Sequence, residues 1–146
     1  EFLHEMIAAL QLPADASIDI PTVWPTVTTD RILLWQIFQN LILNAVKFNR
    51  SPRKQVWIEW QSIGERHYEI SVRDNGIGID PQYHDRIFRM FQRLHPANEF
   101  EGTGIGLAVV KKAVGKLAGT IRVESSVNCG STFLVTLPVT LDEELP

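Results

Sequence analysis

The sequence has a single cysteine, Cys129, so it has no internal disulfide and nothing in it points to an oxidising compartment. It also lacks an excess of basic residues. The formal net charge is -3, which argues against a general nucleic-acid binder, whose footprint is a basic stripe. No uninterrupted apolar run approaches the roughly 20 residues of a membrane helix, so no membrane contact is expected of this chain. Glu1 to Leu10 carries interspersed charges where a signal peptide needs a basic start and an apolar run. Repeats and low-complexity tracts are missing as well. The first residue is Glu, not Met. The chain is therefore expected to be cut from a longer protein, and a cytoplasmic setting is expected for this piece, whether its parent is soluble or membrane-attached. Finally, no Gly-Lys-Ser/Thr follows a glycine run, and the first strand-to-helix crossing has no Rossmann glycines.

What is present fits one soluble domain. A chain of 146 residues with 45% apolar and 21% charged residues can bury a real core. Phe2, Leu3, Met6, Ile7 and Leu10 have a helical period, stopped by Pro13. Ser17 to Ile20 alternates as a short strand, and Pro21 and Pro25 bracket a turn or edge segment around Trp24. Thr29 or Asp30 is the expected N-cap of a long helix ending near Asn49. Gln55 to Gln61 and Tyr68 to Val72 alternate as two strands around a turn at Gly64-Glu65. Pro81 is expected to open a short helix through Ile87 and Phe88. A loop covers Gln92 to Glu101. A helix is expected over Ile105 to Leu117, with Ile105, Ala108, Val109, Lys112, Ala113 and Leu117 on one face and Gly119 as its stop. Two strands follow, around Ile121 and Val123 and around Phe133, Val135 and Leu137. This order predicts an α+β fold, a two-layer α/β sandwich in which about three helices cover a mixed sheet of about five strands.

Three stretches carry chemistry. The long helix is apolar almost all round except at Gln36, Asn40, Asn44 and Lys47, whose spacing puts them on one stripe. Two readings fit that stripe. It is either a solvated face, or a set of hard amide oxygens suited to Mg2+ with a lysine suited to phosphate. On the second strand, Tyr68, Ile70, Val72 and Asp74 share one parity. If the first three face the core, so does the Asp74 carboxylate, which then needs a donor. An exocyclic amine of adenine supplies one, whereas guanine offers an acceptor at that edge. The alternative is an exposed strand end, or an Asp that starts a turn with Asn75-Gly76. Gly76 and Gly78 would let the backbone approach a ligand closely. The third stretch, Gly102-Thr103-Gly104-Ile105-Gly106, runs into a helix. Such a loop either binds phosphate through its N–H groups and the helix dipole, or is simply a flexible turn.

Taken together, these stretches resemble the ATP-binding catalytic domain of sensor histidine kinases, the GHKL or Bergerat-fold type. Gln36 to Phe48 resembles the N box of that family, Asp74-Asn75-Gly76-Ile77-Gly78-Ile79 the G1 box, Ile87-Phe88-Arg89-Met90-Phe91 the F box, and Gly102-Thr103-Gly104-Ile105-Gly106-Leu107 the G2 box. Gly130-Ser131-Thr132-Phe133, closing at Leu137-Pro138, is similar to the family's last strand. The likeness runs in order from about Asp30 to Pro138. Phe91-Gln92-Arg93-Leu94-His95-Pro96 is similar to the phytochrome-like and hybrid kinases.

The resemblance implies ATP and Mg2+ as cofactors and a role for each matching position. Asn44 would coordinate Mg2+, with Asn40 as a second ligand or water anchor. Lys47 would reach the phosphates. Asp74, helped by Gly76 and Gly78, would accept from the adenine amine, and Thr132 would support that contact. Gly102, Thr103, Gly104, Ile105 and Gly106 would line the phosphates, and Leu107 would begin the following helix. Phe88 and Phe91 would anchor a lid over about Gln92 to Glu101, or are ordinary aromatic core. Arg93 would contact the terminal phosphate, or is an exposed lid residue.

Two features bear on the reaction. Hydrolytic members of the fold carry a Glu four residues before the metal Asn, as a general base for water. Here that residue is Asn40, which cannot take a proton, so transfer is expected over hydrolysis. None of His4, His67, His84 and His95 lies in the family's acceptor setting. A protein-histidine kinase module is therefore expected, whose phospho-acceptor His lies on a separate dimerisation domain of the same protein and whose phosphoryl group passes to a response regulator receiver domain. Residues 1–28 would then be an N-terminal helix and first strand after that region, 29–138 the ATP-binding core and 139–146 a tail. A degenerate docking module and a serine/threonine kinase of the anti-sigma type are the competing readings.

Overall fold

The computed structural model describes residues 2–25, 27–89 and 106–140. Its helices are α1 (Phe2–Leu10), α2 (Arg31–Lys47) and α3 (Gly106–Lys116), and its strands are β1 (Ala16–Asp19), β2 (Lys54–Ile63), β3 (His67–Asp74), β4 (Thr120–Ser125) and β5 (Ser131–Pro138). The strands form one mixed sheet in the order β1-β2-β3-β5-β4. Only β1 runs parallel to its neighbour, pairing Ala16 with Lys54. The expected α+β sandwich is the architecture found.

Local chemistry sets the boundaries of α2. The Asp30 carboxylate accepts from the N–H groups of Ile32 and Leu33 at 2.9 and 3.1 Å, satisfying two donors that the first turn cannot pair internally. Pro52, after Ser51, keeps the chain from continuing as helix. Ile37, Phe38, Leu41, Ile42, Ala45 and Val46 are buried, whereas Ile32 and Leu43 remain exposed. The helix is therefore buried on one side, although apolar residues occur nearly all round it. Each fully buried aliphatic or aromatic side chain here stabilises the fold by roughly 1.5–3 kcal/mol.

The strand pattern sorts the two sheet faces. Val56 and Ile58 on β2, Ile70 and Val72 on β3, and Phe133, Val135 and Leu137 on β5 are buried in the core shared with the helices. The intervening residues face away. Trp57, half-buried, lies on that outer side, with the exposed Arg73 guanidinium 4.4 Å from its ring centroid, a cation–π contact. Trp60, on the inner side, meets Tyr68 edge-on at 5.6 Å and donates to the Val23 carbonyl at 2.7 Å. Gly64, at φ +63°, turns β2 into β3.

Three local expectations are corrected. Pro81 opens a single 3-10 turn, Pro81–Tyr83, followed by further turns and not by a helix to Phe88. The buried stripe of α3 is Val110, Ala113 and Val114, continued by Leu117. This rotation leaves Lys112 in solvent, where its charge remains hydrated. The helix also stops one residue earlier than expected. Ala118, not Gly119, takes the left-handed conformation, at φ 59°. The N–H groups of Ala118 and Gly119 bond back to the Gly115 and Val114 carbonyls at 3.0 and 2.9 Å, a Schellman stop. Gly119 is needed for room, since a Cβ there would lie 2.3 Å from the Thr136 carbonyl oxygen. Beyond β5, Val139 stays tied to the domain, with its N–H on the Arg66 carbonyl and its carbonyl accepting from Thr28.

Candidate functional site

β3 continues its alternation to the last residue, so Asp74 points inward with Ile70 and Val72 and is 9% exposed. It stands directly opposite Val56 on one side and Ser131 on the other. One carboxylate oxygen, Oδ1, accepts from the N–H groups of Gly76 at 2.8 Å and Ser131 at 3.2 Å. Burial pushes the Asp74 carboxyl up to about 6, against the pull of those two N–H donors. The outcome is a partly desolvated acid with one oxygen engaged by backbone and the other available to a ligand donor.

The segment after Asp74 is clamped between two backbones. Ile77 donates to the Phe48 carbonyl at the end of α2 at 3.1 Å, and its own carbonyl accepts from Asn128 at 2.7 Å. A Cβ on Gly76 would fall 2.5 Å from the Phe48 oxygen, and one on Gly78, at φ +74°, 1.9 Å from the Ser126 oxygen. Both glycines thus admit the protein's own backbone, whereas the sequence suggested approach to a ligand.

Asn75 locks the same segment sideways. Its Oδ1 accepts from Asn49 Nδ2 at 2.7 Å and Gln55 N–H at 2.9 Å, and its Nδ2 donates to the Arg53 carbonyl at 2.9 Å. Asn49 is itself 4% exposed. This part-buried amide pair ties the end of α2 to the ends of β2 and β3, and so sets Asp74 beside the helix that carries Asn40 and Asn44. Sequence reading missed it. The only signal was a second amide beside the Asp-x-Gly turn.

On α2, Gln36 is exposed and Asn40, Asn44 and Lys47 are half-buried. Asn40 Nδ2 donates back to the Gln36 carbonyl at 2.7 Å, which turns Oδ1 the other way. That oxygen faces the first residue of α3: a Cβ on Gly106 would lie 3.1 Å from Asn40 Oδ1 and 3.8 Å from the Asn44 amide. The two amides and the helix N-terminus therefore share one space, which a side chain at position 106 would crowd. Amide oxygens are hard donors that suit Mg2+, and a flip of the Asn44 amide presents its oxygen to the same space. No group of three or more His, Cys, Asp or Glu side chains suited to a metal occurs among the described residues. The Lys47 ammonium lies 5.0 Å from the Phe48 ring centroid.

The remaining predicted positions divide. Leu107 is half-buried against the core. Phe88 meets Phe133 edge-on at 6.2 Å. Phe91, Arg93, Gly102, Thr103, Gly104 and Ile105 lie outside the described residues. Thr132 does not fit its expected place. It pairs with Arg73 and Glu124 on the outer parity of β5, away from Asp74. Its neighbour Ser131, which shares the parity of Phe133 and Val135, is the residue at the carboxylate, and it is 7% exposed. The alternation rule that turned Asp74 inward identifies Ser131 equally well.

Comparison with known proteins identifies the family and the fold. Residues 29–141 match the family model described as histidine kinase-, DNA gyrase B-, and HSP90-like ATPase. Cyanobacterial phytochrome A of Nostoc sp. is 50% identical over 115 residues, covering 79% of this chain and 15% of that protein. Phytochrome-like protein Cph1 of Synechocystis sp. is 45% identical over 126 residues, covering 85% and 16%. The chain thus spans about a sixth of the curated relatives it matches. Among solved structures, the mycobacterial sensor histidine kinase MprB is 27% identical with a TM-score of 0.76, covering 96% of both chains. Full-length ShkA in complex with AMPPNP is 24% identical with a TM-score of 0.78, covering 97% of this chain and 30% of that one, a likeness of fold. The chain belongs to the histidine kinase-, DNA gyrase B- and HSP90-like ATPase family, as an ATP-binding catalytic domain of the sensor histidine kinase type.

Proposed function

We propose that this domain binds Mg-ATP and supplies its γ-phosphoryl group to a histidine on a dimerisation domain of the same protein, from which it passes to an aspartate of a response regulator receiver domain. The observation that carries the reading is the buried Asp74 carboxyl, set by Asn75 against the helix of Asn40 and Asn44. In this reading Asp74 accepts from the adenine amine through the oxygen that Gly76 and Ser131 leave available. A 6-oxo purine brings an acceptor against an acceptor there and is rejected. Asn44 and Asn40 hold Mg2+, which when bound neutralises charge on the phosphate oxygens. Lys47, Arg93 and the N–H groups of the glycine run ending at Gly106 hold the phosphates, with Thr103, Ile105 and Leu107 shaping that run and Phe88 and Phe91 anchoring the lid.

Transfer forms a nitrogen–phosphorus bond at the acceptor imidazole and breaks the bond from the γ-phosphorus to the bridging oxygen, releasing ADP. The domain's part is positioning and charge neutralisation. Asn40 contributes by what it lacks. Its amide takes no proton, so water beside the γ-phosphate finds no base on that turn of α2. Calorimetric titration of the 146-residue chain with a non-hydrolysable ATP analogue and Mg2+ tests the reading. Saturable 1:1 binding, a much weaker GTP analogue and little autophosphorylation of the chain alone are expected. Equal binding of both nucleotides, or none, overturns it.

A further inference from the structure

β4 ends at Ser125, whose hydroxyl is saturated with partners. It accepts from the Ile79 N–H at 2.7 Å, donates to the Gly130 carbonyl at 2.7 Å and lies 2.8 Å from Ser131 Oγ. A serine hydroxyl has one proton and two lone pairs. Ile79 N–H can only donate, and the Gly130 carbonyl can only accept. The Ser125 proton is therefore directed to Gly130, one lone pair is filled by Ile79, and the other must receive the proton of Ser131. Were Ser125 to donate to Ser131 instead, the carbonyl of Gly130, a buried residue, would be unpaired, and were the Ser131 proton turned elsewhere, two oxygens would face each other at 2.8 Å with no proton between them.

The direction matters because Ser131 stands opposite Asp74 on the same buried face. With its only proton directed to Ser125, Ser131 Oγ offers the site lone pairs alone. Beside it Asp74, when ionised, also offers only lone pairs. We propose that Ser125 is a positioning residue that fixes the hydrogen-bond polarity of the base pocket: by holding the Ser131 hydroxyl proton away from Asp74, it makes that wall an acceptor-only surface, selective for 6-amino over 6-oxo purine nucleotides. This rests on the reading that Asp74 meets the base. Ser125 touches no ligand in it and acts through Ser131.

Removing the Ser125 hydroxyl frees the Ser131 proton to swing toward the pocket, where it can donate to a 6-oxo group or to Asp74. ATP and ITP, which differ at that one position of the purine and its adjoining N1 proton, are the probes. Ser125→Ala is expected to lower the ATP-to-ITP affinity ratio roughly tenfold, the worth of one hydrogen bond to a carbonyl acceptor in a desolvated site. Ser125→Thr keeps a hydroxyl and is expected to retain the parental ratio. In a Ser131→Ala background, Ser125→Ala is expected to change the ratio no further. A ratio unchanged by Ser125→Ala, or one that falls equally without the Ser131 hydroxyl, overturns the proposal.

A second readout needs no nucleotide and separates this proposal from the functional reading. The Asp74 carboxyl carbon is followed by NMR through a pH titration of the free protein. Ser125→Ala is expected to shift its midpoint to lower pH, because the freed Ser131 proton stabilises the carboxylate, and Ser131→Ala is expected to abolish that shift. An unmoved midpoint in folded Ser125→Ala protein refutes the relay even if ATP binds. Failure of the parental protein to bind ATP refutes the functional reading while the titration still decides the relay.

Discussion

The Ser131 N–H reaches the Asp74 carboxylate at 3.2 Å across the β3–β5 pair, so the acid is held by the backbone of the neighbouring strand and, among the described residues, by no cation. Two N–H donors do not offset its burial, and the carboxyl sits at about 6 where an ordinary aspartate is at 3.8. The folded state therefore holds this proton more tightly than the unfolded chain does. The stability linked to this proton is fully present below 3.8 and is lost as pH rises through the interval to about 6, a total change of about 3 kcal/mol. Asp74→Asn keeps an oxygen for Gly76 and Ser131 and removes the charge. It is expected to raise the melting temperature at pH 7.5 by about 5 °C while abolishing ATP binding, because the new NH2 group meets the adenine amine. Calorimetric melting and titration of the same sample check both halves. A lower melting temperature defeats the account of the site as strained by its own acid.

The same acid sets a pH limit on ligand affinity. Protonated Asp74 presents a donor to the adenine amine. ATP affinity is expected to hold constant above pH 7 and to fall as pH drops through the region near 6. Titrations at constant ionic strength between pH 5 and pH 8 measure it, and an affinity that stays level through pH 6 defeats the prediction.

Asn75 gives a prediction of the opposite kind, in which structure and function fail together. Asn75→Ala removes three hydrogen bonds and strands the buried Asn49 amide. A cost of about 3 kcal/mol is expected in urea denaturation. ATP affinity should fall in the folded fraction as well, since the tie between the end of α2 and the end of β3 is lost. Neither partner was legible in the sequence. Asn49 and Asn75 are 26 residues apart, and an amide before a glycine reads as turn chemistry until its partner is in view.

What was legible followed from alternation and from capping. The inward turn of Asp74 could be read from Tyr68, Ile70 and Val72, because a strand buried on one face fixes the face of every residue. Ser131 obeys that same rule through Phe133 and Val135, yet the likeness to a familiar motif drew attention to Thr132, one residue and one face away. The α3 stripe was half legible: Ala113 and Leu117 are buried as expected, whereas Lys112 is exposed and Val110 and Val114 take its place. The correct one, Val110, Ala113, Val114 and Leu117, spares Lys112 from burial. Asp30 was legible as a cap because its chemistry is local. The stop at Ala118 was not, since glycine is the usual left-handed residue and here it stands one place further on.

That stop is open to a simple test. Ala118→Gly relieves a left-handed alanine at φ 59° and is expected to stabilise the domain by about 1 kcal/mol. Gly119→Ala drives a Cβ to 2.3 Å from the Thr136 oxygen and 2.8 Å from Leu137 Cδ2, and is expected to destabilise by 2 kcal/mol or more, roughly the cost of overpacking. Chemical denaturation of the two variants should move them in opposite directions.

The amide pair on α2 makes its own separable prediction. Neither Asn40 nor Asn44 belongs to the buried core, and alanine is the better helix former. Asn40→Ala and Asn44→Ala are therefore expected to leave thermal stability unchanged or slightly higher, despite loss of the Asn40 bond to the Gln36 carbonyl. Their effect belongs to the cation. In the parental protein, ATP should bind more tightly with Mg2+ than with EDTA, and Asn44→Ala should remove most of that difference while leaving the affinity in EDTA near the parental value. Asp74→Asn, by contrast, should lose affinity in both conditions, because the base contact does not depend on the metal. If Asn44→Ala weakens binding equally with and without Mg2+, the amides hold phosphate directly or shape the pocket, and the assignment of a metal to the space they share with Gly106 fails.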